Sequence, residues 1–188
     1  MRAAAMSIAA RCVASSLLLV GCHSGGPNTP KSNDILQSAH GIPNSFGGEV
    51  RCPGSNKDGT IQFSWKTGKK RVKGQCAGGL MVGTWKAWYE NGATQWKATF
   101  AHGRFTGSFA SWHPNDKKWA VVSFKDGVPE GSFKSWWYNG KVRAKGKYVG
   151  GRRNGCWEEW HDNGQKALKG TYSDDKKVLT WLKWTASG

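Results

Sequence analysis

The chain has 188 residues, enough for one ordinary domain, and carries 28 Lys+Arg against 12 Asp+Glu. It holds 26 Gly and 12 Trp but little Leu, Ile or Met. That balance points to turns and aromatic-faced strands and argues against a helical core.

Residues 1–22 stand apart. Arg2 and Arg11 supply positive charge, and CVASSLLLVG is apolar but too short to span a membrane as a mature helix. The stretch ends in Leu19-Val20-Gly21-Cys22, which resembles the bacterial lipobox. The resemblance implies cleavage before Cys22, a lipid on its sulfur, and a protein anchored to a membrane rather than spanning it. His23 follows, not Asp; by analogy with Gram-negative lipoproteins that implies the outer membrane. Residues 23–48 are rich in Gly, Ser, Asn and Pro without periodicity, the composition of a flexible tether. Cleavage removes two of the 28 basic residues and none of the 12 acidic ones, leaving a net charge of +14. Cys22, Cys52, Cys76 and Cys156 survive it. With Cys22 acylated, Cys52–Cys76 is the favoured disulfide, closing a loop worth about 3 kcal/mol and leaving Cys156 free. The pairings through Cys156 stay open as alternatives.

From residue 49 onward the chain repeats. Gly59, Gly83, Gly107, Gly131 and Gly155 fall at a constant step of 24, and a partial sixth unit starts at residue 179. Each unit has an aromatic run, a turn signal (Thr67-Gly68, Asn91-Gly92, Asn115-Asp116, Asn139-Gly140, Asn163-Gly164), a second run and a further turn signal. Asn-Gly suits a two-residue type I′ hairpin turn, and no unit has room for a helix. The expected fold is all-β: one elongated antiparallel meander of stacked hairpins.

Alternation assigns faces. Val72, Trp96, Ala120, Ala144 and Leu168 share an apolar face with Gly74, Ala98, Val122, Gly146 and Gly170, and with Cys76, Phe100, Phe124, Tyr148 and Tyr172. A two-residue turn pairs Trp85 with Ala98, Lys86 with Lys97, Ala87 with Trp96 and Trp88 with Gln95. Ile61, Trp85, Phe109, Phe133, Trp157 and Trp181 then join the apolar face as core. Trp88, Trp112, Trp136, Trp160 and Trp184 fall on the opposite face, with Lys73, Lys97, Lys145 and Lys169. These rings either pack against lysine stems or form a Trp–Lys track for binding. A bulge in the first strand would move Trp88 inward.

The phrase G-x-W-x-x-W-Y-x-N-G, followed by a run ending G-x-Y or A-x-F, resembles the bacterial variant of the MORN repeat. The units at Gly83 and Gly131 match best; the unit at 107 departs at Asn115-Asp116 and Val122, and the unit at 59 has Ser64 for the second Trp. The resemblance implies an elongated sheet of hairpins used for scaffolding, protein binding or lipid contact, with some relatives labelled antitoxins.

No catalytic constellation stands out. His102, His113 and His161 read as solvated turn residues. Cys156 lacks zinc-site spacing, and Glu158 and Glu159 point to opposite faces of one strand. No metal or cofactor is expected. Basic clusters such as residues 152–153 read as solvated turns, yet +14 exceeds what solubility requires. The expectation is a non-enzymatic envelope lipoprotein whose β-repeat scaffold binds an envelope protein. The alternatives are an anionic glycan or lipid surface bound through the Trp–Lys face, and an antitoxin-like or immunity protein. Export argues against a nucleic acid partner.

Overall fold

Eleven strands follow one another in sequence and in space. They are β1 (Gly59–Ser64), β2 (Lys70–Ala77), β3 (Leu80–Trp88), β4 (Thr94–Ala101), β5 (Arg104–Trp112), β6 (Lys118–Lys125), β7 (Val128–Trp136), β8 (Val142–Val149), β9 (Arg152–Trp160), β10 (Lys166–Ser173) and β11 (Lys176–Lys183). They form one antiparallel sheet in the order β1 to β11, as seen in a computed structural model that describes residues 48–53 and 58–187. The expected signal peptide, Cys22 and the tether through residue 47 lie outside the described residues.

The strands begin earlier than the unit-opening glycines. Gly83, Gly107, Gly131 and Gly155 sit inside β3, β5, β7 and β9 at φ between +64° and +90°. Pairing slips at each of them: Lys73 faces Lys86, but Gln75 faces Val82. These are bulges rather than strand starts, and they bend the chain. The bend can be measured. Phe105 and Phe109 flank Gly107, and four residues of straight strand would separate them by roughly 13 Å. Their ring centroids are 6.2 Å apart. Arg153 likewise lies 6.0 Å from the Trp157 ring across Gly155, and Lys177 lies 4.4 Å from the Trp181 ring across Leu179. Strands β3, β5, β7, β9 and β11 therefore fold back over the apolar face. A single sheet thereby encloses a core, with Trp85, Phe105, Phe109, Phe133, Tyr148 and Trp157 almost wholly buried.

Ring size is matched to the residue beneath. A Cβ on Gly74, Gly146 or Gly170 would fall within 1.9–2.3 Å of ring carbons of Trp85, Trp157 or Trp181. Where that column carries Ala98 or Val122, the aromatic eleven positions on is the smaller Phe109 or Phe133. The apolar columns read from alternation supply most of the core, with Ile61, Val72 and Trp181 partly buried against it and Leu168 half-buried outside it. Alternation alone missed the residues before each bulge, Met81, Phe105 and Arg153, because the bend brings them onto the same face. Arg153 is no solvated turn cation: it is buried, ion-paired to Asp175 at 2.8 Å and bonded to Tyr172 Oη at 3.0 Å.

The Asn-Gly edge does not carry the expected two-residue turn. At the Asn-Gly edge only the second residue has positive φ, as at Gly92 (+93°), Asp116 (+61°) and Gly140 (+88°). Gly92 N donates to Tyr89 O, and Tyr89 N donates to Ala93 O. This is a three-residue loop with a bulge, so Trp88 faces Thr94 and not Gln95. The two-residue turns with both φ positive lie at the other edge, at Gly78-Gly79, His102-Gly103, Asp126-Gly127, Gly150-Gly151 and Asp174-Asp175.

Asparagine at the loop edge is used through its side chain. Asn139 Oδ1 accepts from Lys141 N at 2.9 Å, and its Nδ2 donates to Asp162 O of the next unit at 2.7 Å. Asn91, Asn115 and Asn163 repeat both bonds. A second ladder uses the residue after each Trp of the lysine face and, in the first unit, the residue after Ser64. Trp65, Tyr89, His113, Trp137 and His161 each reach the carbonyl of the tryptophan one unit on. His113 and His161 are thus half-buried rungs rather than solvated residues.

At the other edge, Val50 N donates to Gly103 O and Val50 O accepts from Met81 N. A disulfide joins Cys52 to Cys76. Contrary to expectation, Cys156, half-buried on β9, is not free.

Candidate binding face

With the apolar side folded shut, the opposite side of the sheet is the one presented. The odd strands β3, β5, β7 and β9 end in Trp88, Trp112, Trp136 and Trp160, all half-buried. Despite the bulge beside it, Trp88 keeps to this face, because Lys86 two residues earlier holds its ammonium 5.1 Å from the ring centroid. Lys134 and Lys118 flank Trp136 at 5.3 and 5.8 Å, and Lys145 lies 5.2 Å from the Trp160 ring. Such contacts are worth about 0.5–1 kcal/mol at exposed sites. They hold the rings while leaving the ammonium groups in water. Lys86 and Lys134 were not among the expected site residues; their spacing in Lys-Ala-Trp and Lys-Ser-Trp, two positions before a ring on one face of a strand, is the signal that marks them. Trp112 has Ala110 at that place.

Lys73, Lys97 and Lys145 are exposed, and Lys169 is half-buried. Lys145 and Lys169 converge on Glu158, whose carboxylate lies 2.6 Å from Lys145 Nζ, 2.9 Å from Lys166 Nζ and 3.7 Å from Lys169 Nζ. Burial by itself would raise the Glu158 pKa, but the bonds and charges of Lys145 and Lys166 outweigh it and hold it down to about 2. Glu159 points to the other face, between Ala144 and Leu168. Burial raises its pKa against the opposing pull of Lys177, Arg143 and Arg153. The two adjacent carboxylates sit in separate environments and form no acid–base pair. Among the described residues no group of three or more His, Cys, Asp or Glu side chains is placed to hold a metal.

The fold and this face define a β-repeat scaffold. Residues 129–149 and 153–174 match the family model described as MORN repeat variant, and the chain carries MORN-like repeats. No curated protein matches it. Among solved structures it is similar to a mutant of S. aureus TarM in complex with Fondaparinux, alpha-GlcNAc-glycerol and UDP, at 12% identity over 63% of this chain and 20% of that one, with a TM-score of 0.33. It is also similar to the GtfA/B complex bound to UDP and GlcNAc, at 12% identity over 57% of this chain and 21% of that one, with a TM-score of 0.24. The chain spans about a fifth of the length of each, and likeness at this level says nothing about activity.

Proposed function

We propose that the protein is a non-enzymatic lipoprotein, held in the cell envelope through Cys22, whose repeat sheet is a scaffold for an envelope protein. The row of half-exposed tryptophans Trp88, Trp112, Trp136 and Trp160 carries this reading. Trp dominates the energetically important centres of protein interfaces. The rings of Trp88, Trp136 and Trp160, already steadied by lysines, lose little freedom on binding. The surrounding lysines favour a partner with an acidic rim. The test is capture from membranes with the full-length tagged chain after cross-linking. A partner should be recovered with the wild type and lost with Trp112→Ala/Trp136→Ala; an unchanged set of captured proteins would remove the reading. Anchoring is checked separately: Cys22→Ser should abolish palmitate incorporation and move the protein from the membrane to the soluble fraction.

A further inference from the structure

Equivalent positions along the lysine face differ in charge at the two ends of the repeat array. Near the C-terminus, Lys145, Glu158 and Lys169 are cross-strand neighbours on β8, β9 and β10. There a carboxylate sits between ammonium groups and bonds to them. Three units earlier, the same positions are Lys73, Lys86 and Lys97, cross-strand neighbours on β2, β3 and β4. The central place is now a third lysine. Like charges directly opposite one another weaken a sheet. Among the described residues no acidic side chain is ion-paired to any of the three.

Lys73 and Lys86 of this triad line a groove of about 540 Å³ over β1–β3, together with Thr60, Gln75, Thr84 and Trp88, and Lys97 faces Lys86 from β4. Two ammonium groups, two hydroxyls and an amide meet beside one aromatic wall. In the next unit the matching set has Ala110 for Lys86; in the one after, Val121 for Lys73; in the fourth, Glu158 fills the centre. Only the first groove therefore combines both cations with no internal anion.

We propose that this groove binds an anionic saccharide, with a sugar carboxylate taking the place between Lys73, Lys86 and Lys97 that Glu158 takes between Lys145 and Lys169. Charge-assisted bonds from the lysines hold the carboxylate. Gln75, Thr60 and Thr84 supply neutral donors and acceptors for ring hydroxyls, and Trp88 offers an apolar surface to the sugar's C–H face. A carboxylate alone would need only the lysines. The hydroxyl–amide group beside an aromatic wall suits a polyhydroxylated body with an apolar side. This site goes beyond the protein-binding reading and stands or falls without it.

The test is calorimetric titration of the full-length chain in detergent with trigalacturonate, neutral galactotriose and hexaglutamate. Trigalacturonate should bind one equivalent, weaken steeply with salt, and exceed both other probes by at least tenfold. Lys86→Glu, which installs the carboxylate found at position 158, should weaken binding at least tenfold with no loss of melting temperature. Lys86→Gln replaces it as the probe if the charge reversal fails to fold. Lys125→Glu, at the exposed end of β6, should bind as the wild type does. Glu158→Lys should open a second site and raise the stoichiometry to two. Wild-type binding by the position-86 variant, tighter binding of hexaglutamate, or no binding of trigalacturonate would overturn the proposal.

Discussion

Trp85 and Trp88 lie three residues apart in one strand and meet opposite fates. Trp85 is wholly buried, its ring lying on the bare backbone of Gly74. Trp88 is half-exposed, steadied by Lys86. The contrast repeats at Trp157 and Trp160. One side-chain type serves as core or as surface according to what lies across from it: a glycine inside a bend, or a lysine on the open face.

The sharpest way to break this comparison is truncation on each side. Trp157→Ala should cost roughly 3–5 kcal/mol, whereas Trp160→Ala should cost under about 1 kcal/mol, the loss of a cation–π contact. Equal costs in denaturant melts would mean that the faces are not distinct. Next comes the size match. Gly146→Val places carbon inside the Trp157 ring and should destabilise by about 1–3 kcal/mol. Adding Trp157→Phe recreates the Val122–Phe133 pairing and should restore most of that loss. A double variant no better than the single one would refute the matching.

Smaller effects test the open edge and face. Asn139→Ala removes two hydrogen bonds at the exposed loop and should cost about 1–2 kcal/mol, whereas Asn139→Gly, which keeps any backbone angle, should cost a similar amount if the side chain is what matters. Glu158 titrates at about 2 in the fold against an ordinary 4.5. Its stabilisation is therefore complete above pH 4.5 and lost as pH falls through 2. Its partners Lys145 and Lys166 are 53% and 42% exposed, so solvent screening limits the effect to about 1 kcal/mol. Glu158→Gln should flatten the acid limb of stability by that amount; an unchanged acid limb would mean that the ion pairs contribute nothing.

Much of this was legible in the residues. The 24-residue step and the apolar columns follow from period and alternation, and the expected pairings of Trp85, Lys86 and Ala87 with Ala98, Lys97 and Trp96 hold because the bulge beside Trp88 offsets the longer loop. The turn type at the Asn-Gly edge did not. Asn-Gly is a strong signal for a two-residue turn, but Asn139 and its equivalents are bonded at both ends of the side chain, which favours the longer loop. Arg153 read as a turn cation because its partners, Asp175 and Tyr172, lie 22 and 19 residues away. Of the candidate face, the rings and four lysines were visible, but the neutralisation of one lysine set by Glu158 was not.

The sequence by itself determined that hairpins repeat and which columns of residues are apolar, because both are matters of spacing along the chain. Only the tertiary structure decided that the odd strands from β3 onward bend at their bulges. The bend depends on a slip in pairing between neighbouring strands, and strict alternation within one strand contains no record of it. From that bend come the closed core on one side and the exposed lysine face on the other.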